Sequence, residues 1–338
     1  MVSAHESEVE VDVKQLTNFP LYNGCSKEYG GMAGVVADYC GELGLDGLEV
    51  IWDHAPYTEE LPPEEAVVGH HLLFWSNWVD YWRGDEEALM SEFGDKELIR
   101  DYYHGETRED MVNLYKTDLQ RAIDLKAEYV VFHVSEVSLR ECFTYDFKFT
   151  DEEVVDASVE LANAILADTD FKGAFLVENQ WWPGLTFTRP EVTRRLLDGI
   201  DYESKGIMLD IGHLMSTNTS LRTQKEAADY VTRMFDAHGD LGEYVRGLHL
   251  HKSLSGEYVE SRGYVVPDDL TGSYWDQFSR TYDHILQIDR HEPWDDPVVG
   301  SLVRYLNPEW VNHELSAWPR DPHMQALRTQ LEACGLRV

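Results

Sequence analysis

Positively charged residues are scarce in this chain of 338 residues. It contains 28 lysines and arginines against 63 aspartates and glutamates, so its formal net charge is -35. Nucleic-acid binding depends largely on cationic side chains that displace counterions from phosphates. The composition therefore argues against DNA or RNA as a partner. Because the acidic residues are spread along the whole chain, they indicate a solvated acidic surface.

Cysteines and long apolar runs are also few. The four cysteines are Cys25, Cys40, Cys142 and Cys334. They lack C-x-x-C spacing and therefore indicate neither a zinc knuckle nor a disulfide framework. The N-terminal segment has no apolar signal-peptide core, and no apolar run of about 18 residues could span a bilayer. We expect a cytoplasmic protein with reduced thiols and no membrane association.

What the chain does contain is an alternation of strand-like and helix-like segments. Amphipathic stretches such as 107–127 and 151–168 predict helices, and Thr107 with Asp110 is a typical N-terminal capping pair. Apolar, β-rich runs predict strands at 13–21, 47–52, 66–74, 129–135, 172–179, 205–213, 245–253 and 309–316. Eight strands alternating with helices predict a single (β/α)8 TIM barrel with long βα loops over residues 1–338. Residues 1–12 would be an N-terminal extension, and 254–290 an insertion after the seventh strand.

The last four predicted strands end in residues that can bind a divalent metal. These residues are Glu178, Asp210 with His213, His249 with His251, and Glu314. Because active sites of such barrels lie at the carboxyl ends of the strands, these side chains should converge there. Mixed carboxylate and imidazole ligands suit Mn, Zn, Co or Fe better than Ca. The sequence therefore predicts a divalent-metal site at the carboxyl ends of these strands.

The order strand-Glu, L-D-x-x-H, G-L-H-L, strand-Glu resembles that of the xylose-isomerase-like TIM-barrel superfamily. That superfamily includes sugar isomerases, epimerases and endonuclease IV. In the epimerases a single ion is held by Glu, Asp, His and Glu. The resemblance assigns these ligand roles to Glu178, Asp210, His249 or His251, and Glu314, with G-L-H-L favouring His249. It also implies a double role for Glu178 and Glu314, which would move protons while they contact the metal.

The endonuclease IV branch of the superfamily adds ligands for a three-zinc cluster. The resemblance implies that His133 and His213 could be such ligands. The D-R-H motif of that branch has a literal match at Asp289 to His291, although the insertion separates it from the seventh strand. A further histidine is expected on or near the third strand. His54, His70 and His71 are candidates, and we choose His70.

Aromatic and cationic residues near the strand ends bear on the substrate. Trp181 and Trp182 follow Glu178, and Trp318 follows Glu314. Tryptophans at these positions could stack on a sugar, which favours a small carbohydrate-like molecule. Lys252 could bind a phosphate or hydroxyl group, and His251 could contact the substrate beside the metal.

Three functions are compatible with this pattern. The leading expectation is a metal-dependent sugar, sugar phosphate or polyol isomerase or epimerase that acts through a metal-stabilised enediolate. The first alternative is an endonuclease IV-like hydrolase with a multinuclear zinc site. The second is a metal-binding lyase or partner subunit on the same fold. A homo-oligomer is compatible with each of them.

Overall fold

A computed structural model describes residues 13–53, 55–315 and 319–336 of the chain. Its strands form a closed barrel in sequential order, and every neighbouring pair is parallel. The strands are β1 (Lys14–Pro20), β2 (Gly47–Ile51), β3 (Val67–His71), β4 (Tyr129–His133), β5 (Ala174–Glu178), β6 (Lys205–Asp210), β7 (Val245–His249) and β8 (Trp310–His313). The predicted (β/α)8 barrel is confirmed.

Helices surround the barrel and occupy its longer loops. The α-helices are α1 (Met32–Val36), α2 (Val79–Arg83), α3 (Glu86–Phe93), α4 (Lys96–Tyr103), α5 (Arg108–Asp124), α6 (Glu141–Thr144), α7 (Asp151–Leu166), α8 (Pro190–Gly199), α9 (Ile211–Ser216), α10 (Gln224–His238), α11 (Gly256–Arg262), α12 (Tyr274–Ile285), α13 (Val298–Leu306) and α14 (Arg320–Cys334). Within the described residues, no helix is both long and apolar enough to cross a membrane.

The helices begin where their capping residues predict. The Thr107 hydroxyl accepts a hydrogen bond from the backbone of Asp110, whose carboxylate binds the Thr107 backbone in return, so the predicted cap of α5 is confirmed. Asp210 ends β6 and caps α9 by accepting from the backbone N–H of His213. Between β1 and β2, α1 is followed directly by a π-helical turn at Ala37–Glu42.

The lower part of the barrel is filled by apolar side chains. Alternate strand residues point inward, and Leu16, Tyr129, Leu176, Met208 and Trp310 pack there as one buried cluster. The Tyr129 ring occupies the space beside Gly69, where an added Cβ would lie 2.3 Å from the ring. Because this apolar cluster fills the lower part of the barrel, inward-pointing polar side chains can meet at the carboxyl ends of the strands.

Two long βα loops build the walls above that end. The loop after β3 contains α2, α3 and α4, and the loop after β7 contains α11 and α12. Phe74 from the first loop and Phe278 from α12 border the same cavity. His284 holds α12 in place because Tyr258 lies 2.8 Å from its Nδ1 and the Cys142 carbonyl 3.2 Å from its Nε2.

Candidate metal centre

Ten side chains that can bind a metal lie together at the carboxyl end of the barrel. Among the described residues, they form overlapping groups whose ligand atoms lie within 4.8 Å of one another. The residues are His71, His133, Glu178, Asp210, His213, His249, His251, Asp289, His291 and Glu314. Six come from β3 to β7 and the residue after β8, two follow β6 and β7 within three residues, and two lie at the end of the insertion.

The first group joins β3, β4 and β5. Nε2 of His71 and Nε2 of His133 lie 3.0 Å apart, and both lie near Oε2 of Glu178, at 3.2 and 3.1 Å. Nδ1 of His71 is 2.8 Å from the Leu72 carbonyl, so that nitrogen carries the proton and Nε2 is left as an acceptor. Three lone-pair atoms thus point at one another.

The second group uses the other oxygen of Glu178. Nδ1 of His249 lies 3.5 Å from Oε1 of Glu178, 3.8 Å from Asp210 and 2.9 Å from Oε2 of Glu314. Although they are so close, neither Nδ1 of His249 nor Oε2 of Glu314 has a hydrogen-bond partner among the described residues. A divalent cation held between these two buried atoms could take the place of a proton and satisfy both.

The third group joins the L-D-x-x-H histidine to the D-R-H motif. Nε2 of His213 and Nε2 of His291 both lie near Oδ2 of Asp289, at 3.2 and 2.7 Å. Their Nδ1 atoms face the backbone carbonyls of Asn179 and Glu314, at 3.0 and 2.9 Å. The intervening insertion therefore brings Asp289 and His291 back to the strand ends.

His251 contacts residues of both the second and the third group. Its Nε2 lies 2.9 Å from Oδ2 of Asp210, and its ring stacks on His291 at a centroid distance of 3.9 Å. Gly212 leaves room for this ring, since a Cβ there would lie 2.0 Å from it. His251 thus orients the Asp210 carboxylate of the second group, and its ring packs against His291 of the third group.

The electrostatics of the centre are those of buried opposite charges. Burial by itself would lower the pKa of the His291 imidazole, yet the nearby Asp289 carboxylate raises this pKa to about 10. Burial likewise works against His249, but Glu314, Glu49 and Glu178 raise its pKa well above its ordinary value. Burial lowers the pKa of His133. Without an ion, protons on the histidines balance the carboxylates, so an ion that binds must displace them.

These residues fit a divalent metal cofactor. Each of the three groups mixes imidazole nitrogen with carboxylate oxygen, the ligand set that suits Zn, Mn, Co or Fe. A backbone carbonyl near the second nitrogen of His71, His213 and His291 fixes the tautomer that a metal ligand needs. Glu178 would hold ions of the first and second groups with its two oxygens, and His213, Asp289 and His291 would hold a third.

His70 does not lie in the centre, in contrast to the expectation from the sequence. It faces the surrounding helices, where its Nε2 lies 3.1 Å from Oδ1 of Asp118 on α5. Successive strand residues point to opposite sides, so only one of two consecutive histidines can reach the barrel interior. That residue is His71. His54, the third candidate, lies outside the described residues.

The expected substrate residues divide into three cases. Trp181 and Trp182 are buried and line the cavity above the centre. Lys252 does not border that cavity, and its ammonium lies 3.8 Å from Asp295 and 3.9 Å from Glu292. Trp318 lies outside the described residues. The structure thus keeps two tryptophans beside the centre and turns the lysine away from it.

Three supporting residues were not apparent from the sequence. Glu49 on β2 lies 3.0 Å from Nε2 of His249, and its carboxylate also accepts hydrogen bonds from Tyr129 and Asn312, at 2.6 and 3.0 Å. This bond leaves Nδ1 of His249 free for an ion. The sequence did contain one signal for Glu49, since it interrupts an apolar strand. A carboxylate without a partner is costly to bury, so its position there indicates that it has a polar partner.

A cavity of about 480 Å³ opens directly above the centre. His71, His133, Glu178, His213, Asp289, His291 and Glu314 form its floor, while side chains from α12 and the loop after β3 form its walls. Among the described residues, no lysine or arginine lines it. A larger surface groove of about 870 Å³ lies among α2 to α5 and contains none of the ten candidate ligands.

Comparison with known proteins identifies the fold. Neither the protein-family models nor the curated proteins gave a match. A solved D-tagatose 3-epimerase-like protein is 15% identical over 96% of this chain and 98% of that chain, with a TM-score of 0.50. Endonuclease IV from Thermus thermophilus is 17% identical over 95% and 99%, with a TM-score of 0.51. A putative xylose isomerase from Rhodospirillum rubrum is 11% identical over 96% and 100%, with a TM-score of 0.52.

These similarities establish the class of structure. The chain is a TIM barrel that matches the three solved proteins over nearly their whole length. The (β/α)8 fold that the strand pattern predicted is therefore shared with all three. At such low identity the likeness extends to the fold, and function has to be argued from the site itself.

Proposed function

We propose that this protein is a metal-dependent hydrolase of small-molecule phosphoesters with a centre of up to three divalent ions. The observation that carries the proposal is the position of Glu178. Its Oε2 faces His71 and His133, while its Oε1 faces His213 and His249 at 3.2 and 3.5 Å. A carboxylate in contact with separate groups of histidines on its two sides is suited to bridging two ions.

The number of ligands supports more than one ion. An octahedral ion takes about six ligands, and several positions are left for water or substrate in a catalytic site. Ten side chains in overlapping groups exceed that number. His71 with His133 and Asp289 with His291 lie on different sides of the set formed by Glu178, Asp210, His249 and Glu314, which by itself would hold one ion.

When bound, a multinuclear centre supplies Lewis-acid activation of water and stabilises the charge on the attacking and leaving oxygens of a phosphoryl displacement. The chain's own residues position that chemistry. Glu49 and Asn179 orient His249 and His213, and Asp210 is oriented by His251 and by its own helix cap. The side chains that surround the cavity above these residues restrict water to its open side.

DNA is not the proposed substrate. The cavity has no cationic lining among the described residues, and the chain carries a net charge of -35. Binding along a nucleic-acid backbone relies on lysine and arginine contacts with successive phosphates. Side chains of α12 also line the cavity above the centre and reduce the space for a large substrate.

A single-ion sugar isomerase or epimerase is the second candidate. The pair Glu178 and Glu314 favours it, because both carboxylates lie near Nδ1 of His249 and could exchange protons with a substrate held between them. This function, the leading expectation from the sequence, uses four of the ten candidate ligands and leaves the two histidines of the first group and all of the third group without a role.

Metal content together with activity tests the proposal. We expect two to three zinc, manganese or cobalt ions per chain after gentle purification, and metal-dependent hydrolysis of bis(4-nitrophenyl) phosphate. Asp289→Asn should remove about one ion and reduce hydrolysis at least about tenfold, since outer ligands and their partners carry effects of this size. Asp295→Asn is the matched control, because the Asp295 side chain is 61% exposed beside Lys252.

Three outcomes decide between the candidates. Two or three ions with phosphoester hydrolysis support the hydrolase. One ion, exchange of carbon-bound sugar protons in deuterated water and no hydrolysis would replace it with the isomerase. A protein that binds no divalent ion under any of these conditions would remove both functions.

A further inference from the structure

The cavity above the metal centre has two chemically different halves. Its floor consists of carboxylates and imidazoles, whereas most of the other side chains that line it are apolar. We define the apolar wall as Phe74, Val137, Trp181, Phe278, Ile285 and Leu286, all of which line the cavity. A substrate that fits both halves has a polar group for the ions and an apolar group for the wall.

The charges of the residues that line the cavity limit which polar group the substrate can carry. No lysine or arginine lines the cavity among the described residues, while Glu49, Glu178, Asp289 and Glu314 do. A phosphate away from the floor would therefore meet no cation and several carboxylates. Only one anionic group can be accommodated well, at the floor, where bound ions would neutralise it.

The entrance of the cavity is apolar as well. Tyr22, Phe74, Tyr282 and Leu286 line it and are 37%, 43%, 53% and 39% exposed. Large apolar side chains exposed as a contiguous patch mark binding surfaces in soluble proteins. The location of these four at one opening indicates that what enters has an apolar face.

The wall is built on a fixed support. His284 on α12 stacks on Phe143 at a centroid distance of 4.3 Å, and both of its ring nitrogens have partners. Phe278, Thr281 and Ile285 of the same helix are thereby held over the centre. A preformed apolar wall adds affinity because little conformational freedom is lost on binding.

We infer that the substrate of this site carries an aromatic ring next to its reacting phosphoester, and that the apolar wall binds this ring while the floor binds the ester. This inference rests on the proposed function. It names arylated, singly charged small molecules as the substrate class and excludes polyphosphates and sugar phosphates with a second anionic group. The cavity of about 480 Å³ is within the range typical of small-ligand sites.

Binding of two phosphonates to the full chain loaded with zinc tests the inference. Phenylphosphonate and methylphosphonate have the same head group and differ in the ring. Burial of the ring should make phenylphosphonate bind at least about tenfold more tightly by isothermal titration calorimetry. Equal affinities, or tighter binding of methylphosphonate, would overturn the inference.

Variants of the wall residue Phe74 and the entrance residue Tyr282 locate the source of the preference. Phe74→Ala combined with Tyr282→Ala should reduce the phenyl preference to less than about threefold and leave the affinity for methylphosphonate unchanged. Tyr305→Ala, at a similarly exposed tyrosine on α13 that does not line the cavity, should keep the preference. A preference that survives in the double variant would contradict recognition by the wall.

The two proposals fail in different ways. If the protein binds zinc and both phosphonates equally, the inference is wrong and the hydrolase proposal stands. If the zinc-loaded protein binds neither phosphonate, both are wrong. Circular dichroism of each variant, which should match the parent protein, confirms that the exposed positions have been changed without unfolding.

Discussion

His70 and His71 are consecutive on β3 and bind carboxylates on opposite sides of the barrel wall. His70 is paired with Asp118 in the helix layer, at 3.1 Å, whereas His71 faces Glu178 in the metal centre, at 3.2 Å. Both are buried. One histidine therefore ties the barrel to α5, and its neighbour belongs to the first ligand group.

This arrangement predicts different consequences for two adjacent substitutions. His71→Ala should lower the metal content by about one ion with a small effect on unfolding. His70→Ala should keep the ions but lower the free energy of unfolding by ~3 kcal/mol, because Asp118 would lose a buried partner. Metal analysis and urea unfolding check both variants. Loss of ions from His70→Ala would contradict the assignment.

Glu49 predicts a variant that acts on the ion through His249. Glu49→Gln replaces the carboxylate that accepts from Nε2 of His249 and should weaken metal binding at least about tenfold. Competition with a chelator measures the affinity. Glu309→Gln, which removes a carboxylate paired with Arg246 at the other end of the barrel, is the control. Unchanged affinity in Glu49→Gln would show that this bond does not orient the ligand.

Gly212 predicts that one methyl group can disturb the centre. In Gly212→Ala the new Cβ would overlap the His251 ring, which would have to leave its position 2.9 Å from Asp210. We expect weaker metal binding and at least about tenfold less hydrolysis. Gly41→Ala is the control, because a Cβ at Gly41 would meet nothing within 4 Å. Normal metal affinity in Gly212→Ala would contradict the packing argument.

Glu136 predicts a pH dependence of stability that is separate from the metal centre. Burial raises the pKa of its carboxyl from 4.5 to about 8, and Asp80 and Glu141 add to the effect. The folded state therefore binds the proton more tightly than the unfolded state. The stability that Glu136 contributes is fully present below pH 4.5 and is lost as the pH rises through about 8.

Glu136→Gln should remove this dependence. The amide oxygen can still accept from the backbone of Trp78 and Val79, as Oε2 does at 2.7 and 3.0 Å. Between pH 4.5 and about 8, the free energy of unfolding should fall less steeply in the variant than in the parent protein. Urea unfolding over this range measures it. The exposed Glu65→Gln should keep the parent profile, and a parallel profile in Glu136→Gln would refute the prediction.

Much of the fold was predictable because strand and helix patterns are local. The eight apolar runs correspond to the eight strands, with bounds that differ by a few residues, and the capping pair at Thr107 marks the start of α5. It was less predictable which residues of a short strand point into the barrel and which point toward the helices. β3 is buried on both sides, so its residues do not alternate between apolar and polar, and nothing local distinguishes His70 from His71.

The sequence by itself determined the barrel and the ligand types at the strand ends, because hydrophobic periodicity and strand-terminal residues are properties of short segments. Only the tertiary structure decided which ligand atoms meet. Asp289 reaches His213 because the insertion folds back over the centre. Glu178 divides its two oxygens between groups because His133 lies on the neighbouring strand β4, whereas His249 lies on β7, beyond β6 on the other side. Such contacts depend on chain closure over long separations, which no local pattern encodes.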